Sequence, residues 1–240
     1  MASLHDEWKA FPHGPVEKID EGLLSVEGEI HMPLGRFPRR MTAVALSDGR
    51  TVLFSPVALD EPAMREVEAL GSPSFMVVPN GFHRLDARPF KKRYPDIKVI
   101  CPPGAKKRVE KAVPVDAVGD VLNDVAVRFA IVDGMRNAEA ALIVRRDSGT
   151  TLILNDVISN VRHPKGLGAN IMARLFGFGV KHPQMAREVR YLFVGDKHAL
   201  ARQLRDWASI PDLRRIIVSH GEIIERSPGD VLRSIASTLD

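Results

Sequence analysis

The sequence predicts a four-layer αββα sandwich, in which two mixed β-sheets pack face to face and helices cover both outer faces. Three observations predict it: two similar hairpins about a hundred residues apart, strands that come in meanders with helices between them, and no linker or low-complexity tract along the 240 residues. Layered α/β structures of this length commonly form one domain around one core. We therefore expect residues 1–240 to form a single domain.

The two hairpins have apolar, β-branched strands on either side of a turn whose residues tolerate positive φ. The first spans residues 41–57 around a turn at 47–50, and the second spans residues 141–157 around a turn at 147–149. Their similar length and turn chemistry indicate an internal duplication.

Other segments complete the predicted layers. Short apolar segments predict strands at residues 23–30, 75–78, 98–101, 125–132 and 215–219. Helices are predicted at residues 61–70, 103–111, 169–178, 197–208 and 228–239. Asp196 and Ser227 precede the last two helices and are the expected N-caps, because short polar side chains there accept backbone N–H groups.

One Gly-rich segment, residues 163–185, carries an apolar stretch that some other surface has to cover. It predicts a lid over a pocket, a contact between two copies of the chain, or a helix that faces the core. A homo-oligomer is therefore one expectation among three.

Composition and charge narrow the class of protein. Hydrophobic residues make up 45% and charged residues 27% of the chain, close to the average of soluble globular proteins. No apolar run approaches the roughly 18 residues of a membrane span, so none is expected. The chain has a single cysteine, Cys101, and its first residues lack the pattern of a signal peptide, so we expect a cytoplasmic location.

The basic excess is concentrated in one stretch. Lys and Arg total 34 against 30 Asp and Glu, and residues 86–111 hold nine basic residues against three acidic ones. A basic face can attract phosphate or nucleic acid. Because few aromatic residues interleave here, chiefly Phe90 and Tyr94, a solvated helix surface is the favoured interpretation, and a small molecule is the expected partner.

Polar residues follow three short apolar strands, at the positions where α/β folds usually place ligands and catalytic groups. They are the cluster Asn80, His83 and Asp86, then Asp156, and then His220. Histidine and carboxylate are suitable ligands for zinc, iron or manganese. Each residue alone would more often cap a loop, but the set indicates a metal site.

With these residues in place, the sequence resembles the metallo-β-lactamase superfamily, and more closely a divergent branch of it without an established activity. The resemblance runs from about Gly22 to the C-terminus, and its strongest segments are MTAVALSDGRTVLFSPVALDE, VVPNGFHRLDARPFKKRYPDIKVICPPG, GTTLILNDVISN and IIVSHGEII. It implies the αββα sandwich with an internal duplication, as the hairpins and strand order also predict. The family site has an HxHxDH loop, a histidine in a Gly-His turn, a bridging Asp and a final His.

Matching residue by residue, Asp156 in LILND falls on the bridging Asp and His220 in VSHG falls on the final His. The Gly-His turn corresponds to Gly134-Met135, so a thioether replaces that ligand, which suits zinc or iron(II) poorly.

The HxHxDH loop departs from the family pattern, and three registers stay open. With His83 in the second histidine place, Asp86 takes the last histidine place and the other two places are lost. With Asn80 in the first place, no other residue of the motif is retained. With Phe82 in the first place, Asp86 keeps the Asp place but all three histidines are lost. The first register retains the most ligand chemistry and is preferred.

The resemblance thus implies an incomplete site that holds at most one divalent metal, zinc, iron or manganese. Its ligands would be His83, Asp86, Asp156 and His220, and Asp156 would ligate the metal or orient the catalytic water. A two-metal mechanism is not expected, because a binuclear site needs enough donors to hold both ions about 3.5–4 Å apart.

Two functions remain open from the sequence. The first is a metal-dependent hydrolase of unknown substrate, in which Arg84, Arg136 or the basic helix would receive an anionic group. The second is a non-catalytic, metal-free binding or scaffolding module on the same fold. Fold alone does not separate them, because function follows the site.

Overall fold

The computed structural model describes residues 4–32, 35–164 and 167–240 and contains two β-sheets. The first sheet has six strands in the order β1-β2-β3-β4-β5-β6. Their bounds are β1 Glu17–Asp20, β2 Leu23–Met32, β3 Gly35–Ala45, β4 Arg50–Phe54, β5 Ser72–Val77 and β6 Lys98–Ile100. The second sheet has four strands in the order β10-β9-β8-β7. Their bounds are β7 Val127–Ile131, β8 Ala140–Arg146, β9 Gly149–Leu154 and β10 Leu213–Val218.

Both sheets repeat one pattern of strand pairing. Strands β2, β3 and β4 pair antiparallel and β5 joins β4 in parallel. Strands β7, β8 and β9 likewise pair antiparallel, and β10 joins β9 in parallel. The two hairpins predicted from the sequence are β3-β4 and β8-β9, so each lies at the same place in its own sheet.

Helices lie on the outer faces of the two sheets. Their bounds are α1 Glu61–Glu68, α2 Ala87–Arg93, α3 Lys106–Val109, α5 Lys197–Ala208 and α6 Pro228–Ser237. A further helix, α4 Leu167–Phe176, contacts β3 instead. Met64 of α1 and Phe90 of α2 are fully buried against the first sheet, and Leu204 of α5 and Leu232 of α6 against the second. None of the helices in the described ranges has both the length and the apolar character needed to span a bilayer.

The interior between the sheets is apolar on both sides. It contains large buried side chains from each sheet, among them Leu23, Val44, Phe54, Phe75, Phe129, Leu142, Ile153 and Ile217. Burying such side chains is worth about 1.5–3 kcal/mol each relative to exposing them, so this layer is a main source of stability. The predicted four-layer αββα sandwich is confirmed.

The two predicted N-caps have different outcomes. Asp196 has an extended backbone, and its carboxylate accepts a hydrogen bond from the Ala199 N–H at 2.9 Å, as an N-cap should. Ser227 does occupy the N-cap position of α6, as predicted, but it does not cap the helix through its side chain. Its backbone is left-handed, with φ of 47°, and its side chain makes no capping hydrogen bond to α6.

Several local boundaries also differ from the predicted ones. The helix predicted at 103–111 is a single 3₁₀ turn, Pro103–Ala105, followed by the four-residue α3. The helix predicted at 169–178 ends at Phe176, because Gly177 adopts a φ of 75°. Within the predicted segment 163–185, residues 165 and 166 lie outside the described part of the chain.

Three elements were not predicted: β1, α2 and a five-residue π-helical segment, Val189–Phe193. In α2 the basic side chains dominate the sequence pattern, and only Ala87, Pro89 and Phe90 are buried. Several of these basic groups pair with acidic side chains from distant parts of the sequence: Arg88 with Asp6, Lys92 with Glu7 and Arg93 with Glu61, each at 2.6 Å.

Candidate metal centre

Three loops meet where strands of the two sheets end, and each carries one residue of a compact polar cluster. His83 lies in the loop after β5, Asp156 comes two residues after β9, and His220 comes two residues after β10. Because β5 and β10 hold equivalent places in the two sheets, the repeated pattern brings a histidine to the cluster from each sheet. The sequence therefore folds so that residues far apart in the chain share one site.

The ligand atoms of these residues form a nearly equilateral triangle. The Asp156 Oδ1 atom lies 3.2 Å from His83 Nε2 and 3.1 Å from His220 Nε2. The two Nε2 atoms are 3.2 Å apart, and the two imidazole rings meet at an angle of 65°. Among the described residues, this is the group of histidine, cysteine and acidic side chains that could hold a metal ion.

Each imidazole is oriented by a contact at its other nitrogen. His220 Nδ1 lies 2.7 Å from the backbone oxygen of Pro38, so this nitrogen donates and Nε2 faces the cluster. His83 Nδ1 lies 3.0 Å from Ser55 Oγ. Metal-binding histidines commonly use such outer contacts to fix ring orientation and tautomer.

A second set of contacts holds Asp156 from the opposite side. The Asn80 side-chain NH₂ donates to Asp156 Oδ2 at 2.6 Å and to Glu139 Oε2 at 2.9 Å. Glu139 Oε1 in turn accepts the Asp156 backbone N–H at 2.8 Å. The Asn80 Oδ1 atom accepts the backbone N–H groups of Phe82 and His83, which shapes the loop that presents His83.

The electrostatics of the cluster follow from this arrangement. Burial alone would raise the pKa of the Asp156 carboxyl, but His83 and His220 outweigh it and hold that pKa well below its usual range. Burial lowers the pKa of His83. Burial also acts to lower the pKa of His220, but its hydrogen bond to Asp156 raises that pKa above the ordinary value. Burial and then the charge of Asp156 raise the pKa of Glu139 well above its usual range.

The triangle fits a divalent cation. In a tetrahedral site with metal–ligand distances of about 2.0–2.2 Å, the ligand atoms lie about 3.3–3.6 Å apart. The three contacts here are 3.1–3.2 Å, and two imidazole nitrogens with one carboxylate oxygen are a donor set typical of catalytic zinc. If these three side chains held a metal ion, a fourth position would stay open for water or substrate.

The structure brings three of the four residues suggested as ligands together and leaves Asp86 out. Both oxygens of Asp86 are engaged elsewhere: Oδ1 lies 2.6 Å from His5 Nδ1, and Oδ2 lies 2.5 Å from Arg39 and 3.2 Å from the Ala58 N–H. The Asp86 side chain is fully buried in these contacts. A ligand set that includes Asp86 therefore has no support from the geometry.

The contacts also favour a register of the HxHxDH motif that differs from the three considered above. The loop residues that reach Asp156 are Asn80 and His83. If His83 takes the last histidine place, Asn80 takes the second, and Val78 and Phe82 occupy the remaining two. Both polar residues at Asp156 then stand in ligand places.

Two cavities adjoin the cluster, and the suggested substrate-binding arginines lie in different ones. The larger cavity, of about 550 Å³, is lined by His83, Asp156, His220 and Arg84 among others. The smaller, of about 330 Å³, is lined by Asp156 and Arg136 among others. Arg84 Nε donates to the Gly81 backbone oxygen at 2.8 Å, which fixes its guanidinium at the cavity wall.

Glu188 was not found from the sequence, although it lines the larger cavity. It directly precedes the π-helical segment Val189–Phe193, and such segments occur often at functional sites. Its Oε2 atom is buried without a hydrogen-bond partner among the described residues. Burial raises the pKa of Glu188 and the charge of Asp156 adds to the effect. No strand end or motif marks this position, so no signal in the sequence could have identified it.

Comparison with known proteins agrees with this architecture. No family model matches the chain, and no curated protein matches it. Among solved structures, the metallo-β-lactamase DIM-1 exposed to ceftazidime is 11% identical, with a TM-score of 0.63 over 97% of this chain and 100% of that one. The metallo-β-lactamase FIM-1 from Pseudomonas aeruginosa, in its mono-zinc form, is 13% identical, with a TM-score of 0.63 over 96% and 97%. A metallo-β-lactamase from Erythrobacter litoralis is 17% identical, with a TM-score of 0.61 over 93% and 96%. The chain therefore has the metallo-β-lactamase fold.

Proposed function

We propose that this protein is a hydrolase that uses one divalent cation held by His83, Asp156 and His220. The observation that carries the proposal is the triangle of three ligand atoms, each within 3.1–3.2 Å of the other two. Zinc, iron and manganese all accept this donor set. The mono-zinc form of FIM-1 is a solved example of the same fold with one metal.

A second cation is not part of the proposal, because the neighbouring positions hold unsuitable groups. The Asn80 NH₂ group donates to both Asp156 and Glu139, so a hydrogen-bond donor fills the space between the two carboxyl groups. Met135 is buried, and its thioether is a poor ligand for hard divalent ions. The donors that remain suffice for one ion.

Residues of the chain would orient the metal ligands and accept a proton from the attacking water. A bound cation lowers the pKa of water towards neutrality and polarises a carbonyl or phosphoryl oxygen. Ser55 and the Pro38 backbone oxygen keep the two imidazoles aimed at the cluster. Glu188 lines the cavity, and its Oε2 atom has no hydrogen-bond partner among the described residues. We propose that this oxygen accepts the proton of the attacking water, because the raised pKa of Glu188 suits a general base.

The role of Glu188 has a direct test. Glu188→Gln keeps the shape of the side chain and removes its ability to accept a proton, so we expect hydrolysis to fall about a hundredfold. The bound metal, measured by elemental analysis, should be unchanged. The control is Glu66→Gln, which alters an exposed residue of α1 and should leave both quantities at the wild-type level. Wild-type hydrolysis by Glu188→Gln would remove Glu188 from the mechanism.

A metal-free module is the second candidate, and one observation favours it. Asp156 already has close polar contacts to Asn80, His83 and His220, so the cluster is satisfied without a cation. In that case the residues would stabilise the loops and the cavity would serve binding alone.

Metal reconstitution separates the two candidates. Protein stripped with a chelator is exposed to zinc, iron(II) and manganese in turn, and bound metal and hydrolysis of esters, thioesters and phosphodiesters are measured. We expect about one equivalent of one metal per chain, together with the return of hydrolysis. His220→Ala should bind none, whereas His163→Ala, at a histidine whose side chain is 88% exposed, should behave as wild type. No bound metal under any condition would overturn the hydrolase and leave the metal-free module.

A further inference from the structure

The larger cavity beside the candidate metal centre has mostly apolar walls. Five of the ten phenylalanines of the chain line it: Phe37, Phe82, Phe176, Phe178 and Phe193. Its volume of about 550 Å³ falls in the range of small-molecule sites, which is roughly 300–1,000 Å³. An apolar space of this size next to polar ligands is the usual form of a substrate pocket.

The charged groups of the cavity are few and mostly neutralised. Among the described lining residues the guanidinium groups are those of Arg39 and Arg84. Arg39 is paired with Asp86 at 2.5 Å, and Asp156 and Glu188 add negative charge. A polyanionic substrate such as a nucleic acid would find too few free cations here, so the lining favours a ligand with an uncharged apolar body.

The segments that form this wall also carry apolar side chains at the surface. Leu175 precedes the lining residue Phe176 and is 57% exposed, and Leu192 precedes Phe193 and is 64% exposed. Both lining phenylalanines therefore lie in segments whose apolar character extends to the surface.

We propose that the cavity binds the apolar acyl chain of the substrate and places its carbonyl carbon at His83, Asp156 and His220. This inference rests on the proposed hydrolase function and adds the substrate class, an ester or thioester of an apolar acid. In the reaction, the water oxygen forms a bond to the acyl carbon and the bond to the leaving oxygen or sulfur breaks. One water proton ends on the leaving atom and the other is released from the acid.

Binding can be tested without metal or turnover. Straight-chain methyl ketones of increasing length are neutral, resist hydrolysis and keep a carbonyl group, so they serve as probes for the chelator-stripped protein in calorimetric titrations. We expect the affinity to rise about fourfold with each added methylene until the cavity is filled. An affinity that does not depend on chain length would overturn the inference.

Variants locate the binding. Phe176→Asp introduces a charge into the wall and should weaken the binding of a long ketone by about tenfold or more. The matched control is Ile171→Asp, at a residue of α4 that is 64% exposed and lies outside the cavity wall, and it should bind as wild type. Phe82→Asp, at a lining side chain that is 40% exposed, gives a second test if Phe176→Asp does not fold. Equal binding by the wall variants and the control would also overturn the inference.

The outcomes remain separable from those of the proposed function. Chain-length-dependent binding without any metal uptake supports the apolar site and overturns only the hydrolase. Metal-dependent hydrolysis with no preference for longer acyl chains supports the hydrolase and overturns only the apolar site.

Discussion

Asp156→Ala should abolish metal binding, with an affinity at least about a thousandfold below that of the wild type. Losing an outer contact to a ligand typically costs about 10–100-fold in affinity, and Asp156 contributes the central ligand atom itself. Its Oδ1 atom is the one that contacts both His83 and His220. Without it, two close imidazoles remain, and no carboxylate charge offsets that of the cation.

The measurement is a metal titration of chelator-stripped protein, followed by elemental analysis after gel filtration. Asp133→Ala is the control, because Asp133 is exposed and its substitution should leave metal content unchanged. Hydrolysis should be lost together with the metal in Asp156→Ala. Full metal content in Asp156→Ala would contradict the three-residue site.

Much of the architecture could be predicted because it depends on local patterns. The two hairpins revealed the repeated strand order through their turn residues and β-branched strands, and Asp156 and His220 were found because each follows an apolar strand. These features lie within short stretches of sequence. The metallo-β-lactamase fold could therefore be predicted from the sequence, although the chain is only 11–17% identical to these solved structures.

The parts of the site that could not be predicted depend on long-range pairing. Asp86 lies three residues from His83, and its spacing alone makes it as plausible a ligand. Its carboxylate instead contacts His5 from the N-terminal segment and Arg39 from β3. No sequence motif predicts these partners. Glu188 likewise gains its position from a π-helical segment that lacks a periodic pattern.

The buried ion pair between Asp86 and Arg39 has a structural role. Burial alone would raise the pKa of Asp86, but His5 and Arg39 lower it below the usual value. A carboxyl with a depressed pKa contributes stability above its unfolded-state pKa and loses that contribution as the pH falls through the folded-state value. At neutral pH the ionised Asp86 therefore stabilises the fold.

Asp86→Ala should lower the free energy of unfolding by about 3–5 kcal/mol at neutral pH, because it leaves the buried Arg39 guanidinium without its partner. The measurement is urea denaturation of chelator-stripped protein, so that metal binding does not add to the stability of either form. Bound metal in the folded variant should remain at the wild-type level, in contrast to Asp156→Ala.

A double variant shows whether the loss comes from the unpaired charge. Asp86→Ala combined with Arg39→Met removes both charges and should recover a large part of the lost stability, since replacing both partners of a buried pair is often neutral. If Asp86→Ala instead kept its stability and lost its metal, Asp86 would be a ligand after all, and the loop after β5 would have to rearrange on metal binding. Because the two variants differ in which quantity they change, stability or metal content, they divide the acidic residues around the cavity into those that hold the fold and those that hold the cation.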